Sequence, residues 1–217
     1  MNDLFLSPVQ LSIKVSVISL IFVFIIGTLL AKFMLEKNFK GKTVVETILM
    51  LPLVLPPTVI GFLLIIIFGN TSPVGRWIQA FFNQPLMFTW WAAVIASSIV
   101  ALPLMYQSAK TGFSEVERGI KEAARMDGAS EWGVFILVTI PLSYKSLITG
   151  AILSFSRALG EFGATLMFAG NIPGKTQTMS TAIYMSIESG NMNLAWALVG
   201  TMIVISFLML FLVSVFK

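Results

Sequence analysis

Arg157 and Glu161 are the charged pair in this sequence whose residue types and spacing best suit chemistry inside an apolar segment. They lie four residues apart in "SRALGE", a spacing that places both side chains on one face of a helix. A guanidinium group matches the oxygens of a tetrahedral anion, and a nearby carboxylate would keep the anion from binding too tightly to leave. Two interpretations stay open: an oxyanion path, or a structural ion pair that connects two helices.

Most catalytic chemistry is excluded by composition. The 217 residues include no cysteine and no histidine, which removes thiol nucleophiles, imidazole bases, disulfides and the usual zinc sites. A membrane-embedded enzyme would need further acid–base or metal-binding groups beside Arg157 and Glu161. We therefore predict no catalytic residue and no metal site. The sequence also has no G-x-x-x-x-G-K-[ST] phosphate loop, so we expect no cofactor on this chain.

The elements that position this pair are predicted to be membrane-spanning helices. The chain is 57% hydrophobic and only 11% charged, whereas soluble domains carry about 25% charged residues. A spanning helix needs roughly 20 apolar residues. Five runs approach this length, the last of them interrupted by charges: Leu11–Phe33, Val44–Phe68, Phe88–Ser108, Leu194–Phe216 and Ser143–Phe168. We predict an all-α integral membrane domain over residues 1–217 with five spans, or six if Pro141 divides one.

The cations lie between the apolar runs and predict an orientation. One link contains Lys32, Lys37, Lys40 and Lys42, and another contains Lys110, Arg118, Lys121 and Arg125. The other two links contain only Arg76 and Lys175. The positive-inside rule then predicts an external N-terminus, two cytoplasmic basic links and an internal Lys217. Trp77, Trp90 and Trp91 fall near the predicted outer ends of two spans, where aromatic belts occur.

The second basic link contains a predicted pair of short helices. Ser114 and Glu117 have the S-x-x-E spacing of a capping box, which predicts a helix beginning there. Asp127-Gly128 is expected to end that helix, because glycine tolerates the left-handed C-cap conformation. Ser130 can cap a second helix that continues to Pro141. On pattern alone the segment is either an amphipathic link on the membrane surface or a helix that docks in a partner's groove.

A resemblance favours the docking interpretation. "EAARMDGASEWGVFILVTIPL", Glu122 to Leu142, resembles the EAA signature of the permease subunits of ATP-binding-cassette (ABC) importers. The resemblance implies the permease fold of type I importers, with residues 114–141 as a cytoplasmic coupling region that fits a cleft on a separate ATPase. It also implies that ATP is used by that partner rather than by this chain. The residues it assigns to ATPase contact or to the turn are Glu122, Ala123, Ala124, Asp127, Gly128 and Ala129.

Two further stretches are similar to the molybdate branch of the same family, whose relatives carry tungstate or sulfate. They are "LPLVLPPTVIGFLL", with Pro56 and Pro57 inside a span, and "RALGEFGATLMFAGNIPGKTQT". Prolines inside a span free backbone carbonyls and predict a kink, which either serves packing alone or lines a cavity. The predicted candidates for the translocation pathway are Arg157, Glu161, Pro56 and Pro57.

The long outer link after residue 170 is the predicted seat of an extracellular oxyanion-binding protein, or else simply a helix on the outer face. Pro173-Gly174 indicates a turn, and Thr181 to Glu188 predicts a short surface helix. The docking candidates are Asn171, Pro173, Gly174 and Lys175. The resemblance further implies a homodimer with two ATPase subunits in the plasma or inner membrane, and no nucleic-acid partner. A passive anion channel is the remaining rival, and it would leave the EAA segment unexplained.

Overall fold

The computed structural model describes residues 2–216, and every regular element in that range is helical. The longer helices are α1 (Asn2–Glu36), α2 (Lys42–Val54), α3 (Pro57–Phe68), α4 (Pro73–Phe82), α5 (Trp90–Glu115) and α6 (Arg118–Met126). A helical run follows, made of α7 (Glu131–Val134), a π-helical turn (Phe135–Thr139) and α8 (Ile140–Leu142). The remainder is α9 (Tyr144–Leu159), α10 (Gly163–Phe168), α11 (Met179–Glu188) and α12 (Met192–Phe216).

Helices α1, α5 and α9 form the centre of the bundle and pack through small residues. A Cβ built on Gly112 would lie 2.6 Å from the Ser146 Cβ, and one on Gly150 would lie 2.6 Å from the Ser108 Cβ. Small side chains let membrane helices approach this closely. The Ser19 hydroxyl also donates to the Val94 carbonyl at 3.0 Å, which joins α1 to α5.

Three helices are continuous spans, and two more spans are bent. By length and composition α1, α5 and α12 can each cross a membrane. Helices α2 and α3 meet at an angle of 117° around Pro56, and the run Glu131–Leu142 meets α9 at 76°. Counting each bent pair as one span gives up to five within the described residues. The prediction of five spans agrees with this upper count.

The predicted fifth span, Ser143–Phe168, is wrong in its extent. Helix α9 ends at Leu159, and α10 begins only at Gly163. Gly160 and Glu161 lie in the break between the two helices. The buried Glu161 carboxylate accepts from the Ala164 amide in the first turn of α10. The kink predicted within the span Val44–Phe68 is confirmed, because Pro56 and Pro57 have no amide hydrogens for a continuous helical ladder and the two halves meet at 117°.

The two basic links meet at one end of the bundle. Lys32 and Glu36, at the end of α1, line the same cavity as Arg118 and Lys121 of α6. At the opposite end the Lys14 ammonium lies 4.1 Å from the centre of the Trp90 ring. There the Ser12 hydroxyl also accepts from the Met179 amide at 2.7 Å. We call these the basic end and the tryptophan end.

Candidate functional site

Helix α6 begins at Arg118, and the predicted capping box is wrong. Ser114 lies inside α5, where its hydroxyl donates to the Thr111 carbonyl at 2.7 Å. Glu117 is the N-cap of α6 but makes no side-chain capping bond. The cause is tertiary packing: the adjacent Phe113 is buried and packs edge-on against Phe135 with ring centres 5.4 Å apart. That contact keeps α5 helical through the serine.

The predicted turn after α6 is confirmed. Gly128 has φ +89°, a left-handed conformation that favours glycine. Its amide bonds to the Arg125 carbonyl and the Ala129 amide bonds to the Ala124 carbonyl, both at 3.0 Å. These two bonds form a Schellman C-cap. Ser130 then accepts from the Gly133 amide at 3.2 Å and caps α7, as its residue type predicts.

The six predicted coupling residues form the tip of this structure. Helix α6 buries none of its residues against the rest of the chain. Met126, at its end, is 85% exposed. Four of the predicted coupling residues are exposed, and Ala124 and Ala129 are half-buried. The arrangement is a helix and turn that project from the basic end with an uncovered apolar and charged surface.

Ion pairs and aromatic contacts connect this tip to the bundle. Arg125 makes a two-pronged bond to Glu131 across the turn, at 2.7 and 3.1 Å. The Lys32 ammonium lies 5.1 Å from the Trp132 ring centre and 5.0 Å from that of Phe135, so it connects α1 to the segment after the turn. Sequence reasoning missed both links, because neither pair has a helical spacing.

A cavity of about 460 Å³ lies between the tip and the end of α1. Its charged lining residues include Lys32, Glu36, Arg118, Lys121 and Arg125. Burial, together with the charges of Arg125 and Arg118, lowers the pKa of the Lys121 ammonium. This ammonium donates to the Phe113 carbonyl at 2.9 Å, which connects α6 to the end of α5.

Arg157 and Glu161 form the predicted ion pair, although the glutamate lies beyond the end of the helix. The Arg157 Nη1 atom is 2.8 Å from the Glu161 Oε2 atom. The other carboxylate oxygen accepts from the Ala164 amide at 2.9 Å and so caps α10. The Glu161 side chain is fully buried, whereas that of Arg157 remains 31% exposed. Glu161 therefore positions the arginine and joins α9 to α10, and of the two side chains only that of Arg157 keeps access to solvent.

The proline break of the second span lies against the break that contains Glu161. A Cβ on Gly163, the first residue of α10, would lie 3.0 Å from the Pro57 Cβ. Helices α3 and α10 continue in contact through the buried Ile60, Leu64 and Phe168. The structure thus brings Pro57 close to the Arg157–Glu161 pair, which the sequence could not show. Whether these residues line a pathway stays a prediction.

The predicted docking turn lies at the tryptophan end. Pro173, Gly174 and Lys175 are exposed, and Asn171 is half-buried. Gly174 has φ +74°, and the Lys175 amide bonds to the Ile172 carbonyl at 3.0 Å, so the predicted turn is confirmed.

The predicted surface helix after this turn is wrong in its placement. Helix α11 covers Met179–Glu188 and buries Met179, Thr181, Ala182 and Ser186. It packs on α12 and α1 in a cluster with Phe155 and Leu198. Its apolar residues therefore belong to the bundle core.

A link that sequence reasoning also missed holds α2 to α5. The Glu46 carboxylate accepts from Lys110 at 2.7 Å and from the Tyr106 hydroxyl at 3.1 Å. Helix α2 fully buries no residue in the chain, and these bonds add to the packing of its half-buried Leu49 and Met50 against the core. No spacing in the sequence indicates a contact between residues 64 positions apart.

Comparisons with known proteins agree over nearly the whole chain. The chain is 61% identical over 210 residues to the "Putative molybdenum transport system permease protein YvgM" of Bacillus subtilis (strain 168), covering 97% of this chain and 92% of that protein. It is 38% identical to the molybdenum transport system permease protein ModB of Escherichia coli K12, covering 83% and 79%. The sulfate transport system permease protein CysT of the same organism is 30% identical, covering 88% and 68%.

Solved structures of ABC transporters share the fold. A chain of the MetNI methionine ABC transporter superposes with a TM-score of 0.74 at 16% identity, covering 99% of this chain and 96% of that one. A chain of a bacterial alginate ABC transporter, solved with an alginate-bound periplasmic protein, gives 0.72 at 20% identity, covering 98% and 76%.

The family match names the class of protein. Residues 23–217 match the family described as binding-protein-dependent transport system inner membrane component. Proteins of this family are transport subunits, and a separate subunit hydrolyses ATP. The chain therefore belongs to this family, the multi-pass inner-membrane permease subunits of ABC importers.

Proposed function

We propose that this chain is the permease subunit of an importer that moves molybdate across the membrane at the expense of ATP hydrolysed elsewhere. The observation that carries the proposal is the 61% identity over 97% of the chain to a protein named for molybdenum transport. The relative named for sulfate transport is about half as similar, at 30%. Tungstate is the runner-up substrate, because it matches molybdate closely in size and charge, and sulfate comes next.

The proposed mechanism begins at the basic end. The tip formed by α6 and its turn docks on an ATPase subunit, with Glu122, Ala123 and Asp127 at the contact. Gly128 and the Arg125–Glu131 bond support this role, because they hold the turn in one conformation. A turn held in this way transmits displacement instead of absorbing it. The Lys32 contacts with Trp132 and Phe135 would pass that displacement to α1.

The proposed orientation places the basic end in the cytoplasm. It rests on the positive-inside rule, because the cation-rich links meet at that end. The tryptophan end, with the turn at Pro173–Lys175, then faces outward and receives the oxyanion-binding protein. We further propose a homodimer, since each chain carries one EAA segment and two ATPases act together. The exposed face of α12 is available for lipid or for the second copy.

The proposed pathway passes the Arg157 guanidinium. Arg157 is the partly exposed member of its ion pair, and its fork-shaped donors match tetrahedral oxygens. Glu161 neutralises much of its charge, which favours release of a dianion over tight retention. Pro56 and Pro57, at the break beside α10, permit the two halves of the second span to change their angle.

Uptake by the reconstituted complex tests the proposal. Proteoliposomes containing the permease, its ATPase and its binding protein are loaded with ATP and supplied with labelled molybdate. Excess unlabelled molybdate or tungstate should suppress uptake strongly, and equal sulfate should suppress it weakly. Uptake of sulfate in preference to molybdate would overturn the substrate assignment. Uptake that proceeds equally without ATP would overturn the importer mechanism and favour a channel.

A further inference from the structure

Helix α4, between the second and third spans, is firmly held at its start. The Ser72 hydroxyl accepts from the Gly75 amide at 2.8 Å and donates to the Ile67 carbonyl at 2.7 Å. A Cβ on Gly75 would lie 2.0 Å from the Gly69 carbonyl oxygen. The helix therefore crosses the end of α3 in direct backbone contact. The Ser72 cap and the close crossing at Gly75 therefore fix the position of α4 relative to α3.

The same helix leaves its largest aromatic side chains uncovered. Trp77 is 68% exposed and Phe81 is 71% exposed, and their rings stack with centres 5.9 Å apart. Val74, one turn earlier on the same face, is also exposed. Arg76 and Gln79 lie on the other side of the helix. This division of faces, with large aromatic residues on one and a cation on the other, is typical of a helix lying in the membrane interface.

The position of α4 in the chain agrees with a location at the membrane interface. It connects the end of α3 to the start of α5, where Trp90 and Trp91 stack with ring centres 4.0 Å apart. Tryptophans of this kind occur where lipid headgroups meet the hydrocarbon. Helix α3, whose end α4 crosses, also exposes large apolar side chains, among them Phe62 and Ile66. The uncovered face of α4 therefore lies at the end of a span whose apolar surface the bilayer covers.

A groove opens beside this face. It has a volume of about 330 Å³ and lies between α4 and the first turns of α5. Its lining is almost wholly apolar and includes Phe68, Ile78, Phe82, Leu86, Trp91 and Ile95. Arg76 does not line this groove; it lies on the polar face of α4, is exposed, and makes no ion pair within residues 2–216. A phospholipid with one acyl chain in the groove would have its phosphate at the level of α4, where the Arg76 guanidinium is the cation that this helix offers.

We propose that α4 lies in the headgroup layer at the tryptophan end and holds one phospholipid, with an acyl chain in the groove and its phosphate at Arg76. Trp77 and Phe81 then contact the neighbouring lipids. The phospholipid fixes the height of α4 in the membrane and seals the junction between α3 and α5. This assignment depends on the membrane location of the family and on none of the substrate assignments.

Fluorescence quenching tests the membrane contact. The assembled complex is placed in nanodiscs of phosphatidylglycerol with or without bromine on the acyl chains. Bromine should quench a fraction of the tryptophan emission, and that fraction should fall in Trp77→Phe. The matched control Trp132→Phe, at the basic end, should keep the quenched fraction unchanged or raise it. Equal quenching in wild type and Trp77→Phe would overturn the proposal, as would shielding of Trp77 by the binding protein but not by lipid.

Native mass spectrometry of the complex tests the bound lipid. Wild type should retain one phosphatidylglycerol per permease chain under conditions that strip bulk lipid. Arg76→Gln should lose it by removing the phosphate partner, and Ile95→Trp should lose it by filling the groove. Lys175→Gln removes another outer cation and should retain the lipid. Equal retention in Arg76→Gln, Ile95→Trp and wild type, or no retained lipid in wild type, would overturn the site.

Discussion

Gly61 in α3 and Met167 in α10 are in direct contact, and a Cβ built on Gly61 would lie 2.8 Å from the Met167 Cβ. The same Cβ would lie 3.2 Å from the Ala164 Cα. With the Gly163–Pro57 contact, this relationship joins α3, the second half of the bent second span, to α10, the short helix after the break that follows α9. The breaks before α3 and before α10 lie where this pair of helices joins the rest of the bundle.

Gly61→Ala should destabilise this pair of helices. The added methyl group meets a Cβ and a backbone atom, neither of which can move without shifting a helix, and overpacking of this kind costs about 1–3 kcal/mol. Thermal unfolding of the detergent-purified complex should show a lower midpoint and transport should fall. Gly200→Ala is the matched control, because nothing lies within 4 Å of a Cβ at that position. A Gly61→Ala protein as stable as Gly200→Ala would contradict the close contact.

Arg157→Ala should lower both stability and transport. It leaves the fully buried Glu161 carboxylate without its partner, at a cost of roughly 2 kcal/mol, less than for a wholly buried pair because Arg157 keeps some solvent access. The thermal unfolding midpoint and molybdate uptake measure the two effects separately.

The double variant Arg157→Gln with Glu161→Gln separates a pathway role from a structural one. It removes both charges and keeps an amide oxygen able to accept from the Ala164 amide, so stability should largely return. If Arg157 contacts the anion, uptake should stay low in this stable protein. Recovery of uptake together with stability would show that the pair serves structure alone.

The long helices and the turn after α6 were predictable from the sequence for simple physical reasons. Hydropathy dominates α1, α5 and α12, where about 20 or more apolar residues leave few alternatives to a spanning helix. The Asp127-Gly128 pair has one well-populated outcome at a helix end, the left-handed cap. In both cases a local preference and the final structure agree.

Predictions from the sequence were wrong where contacts between residues far apart in the chain determine the local structure. Ser114 and Glu117 do not form the expected capping box, because packing of Phe113 against Phe135 extends α5 through Ser114. Helix α11 is half apolar, and nothing local indicates that its apolar face enters the core. The capping role of Glu161 depends on a break in the helix, whereas its four-residue spacing from Arg157 suggested continuity.

Gly128→Ala should weaken coupling to the ATPase while leaving the membrane bundle intact. A Cβ at this position meets no atom within 4 Å, so the cost is conformational: φ +89° disfavours alanine by roughly 1 kcal/mol. Less ATPase should co-purify with the variant, and uptake should fall. Gly119→Ala, also in open space but without a positive φ, should retain both. Equal losses in the two variants would mean that the turn geometry is irrelevant.

Site-specific crosslinking tests the central claim, that the tip of α6 contacts the ATPase, most directly. The chain has no native cysteine, so single variants Asp127→Cys at the tip and Lys175→Cys at the other end carry one reactive thiol each. We expect a short bifunctional reagent to join Asp127→Cys to the ATPase in the assembled complex and never to join Lys175→Cys to it. An ATPase crosslink at residue 175, or none at residue 127 in a complex that hydrolyses ATP and transports, would contradict that claim.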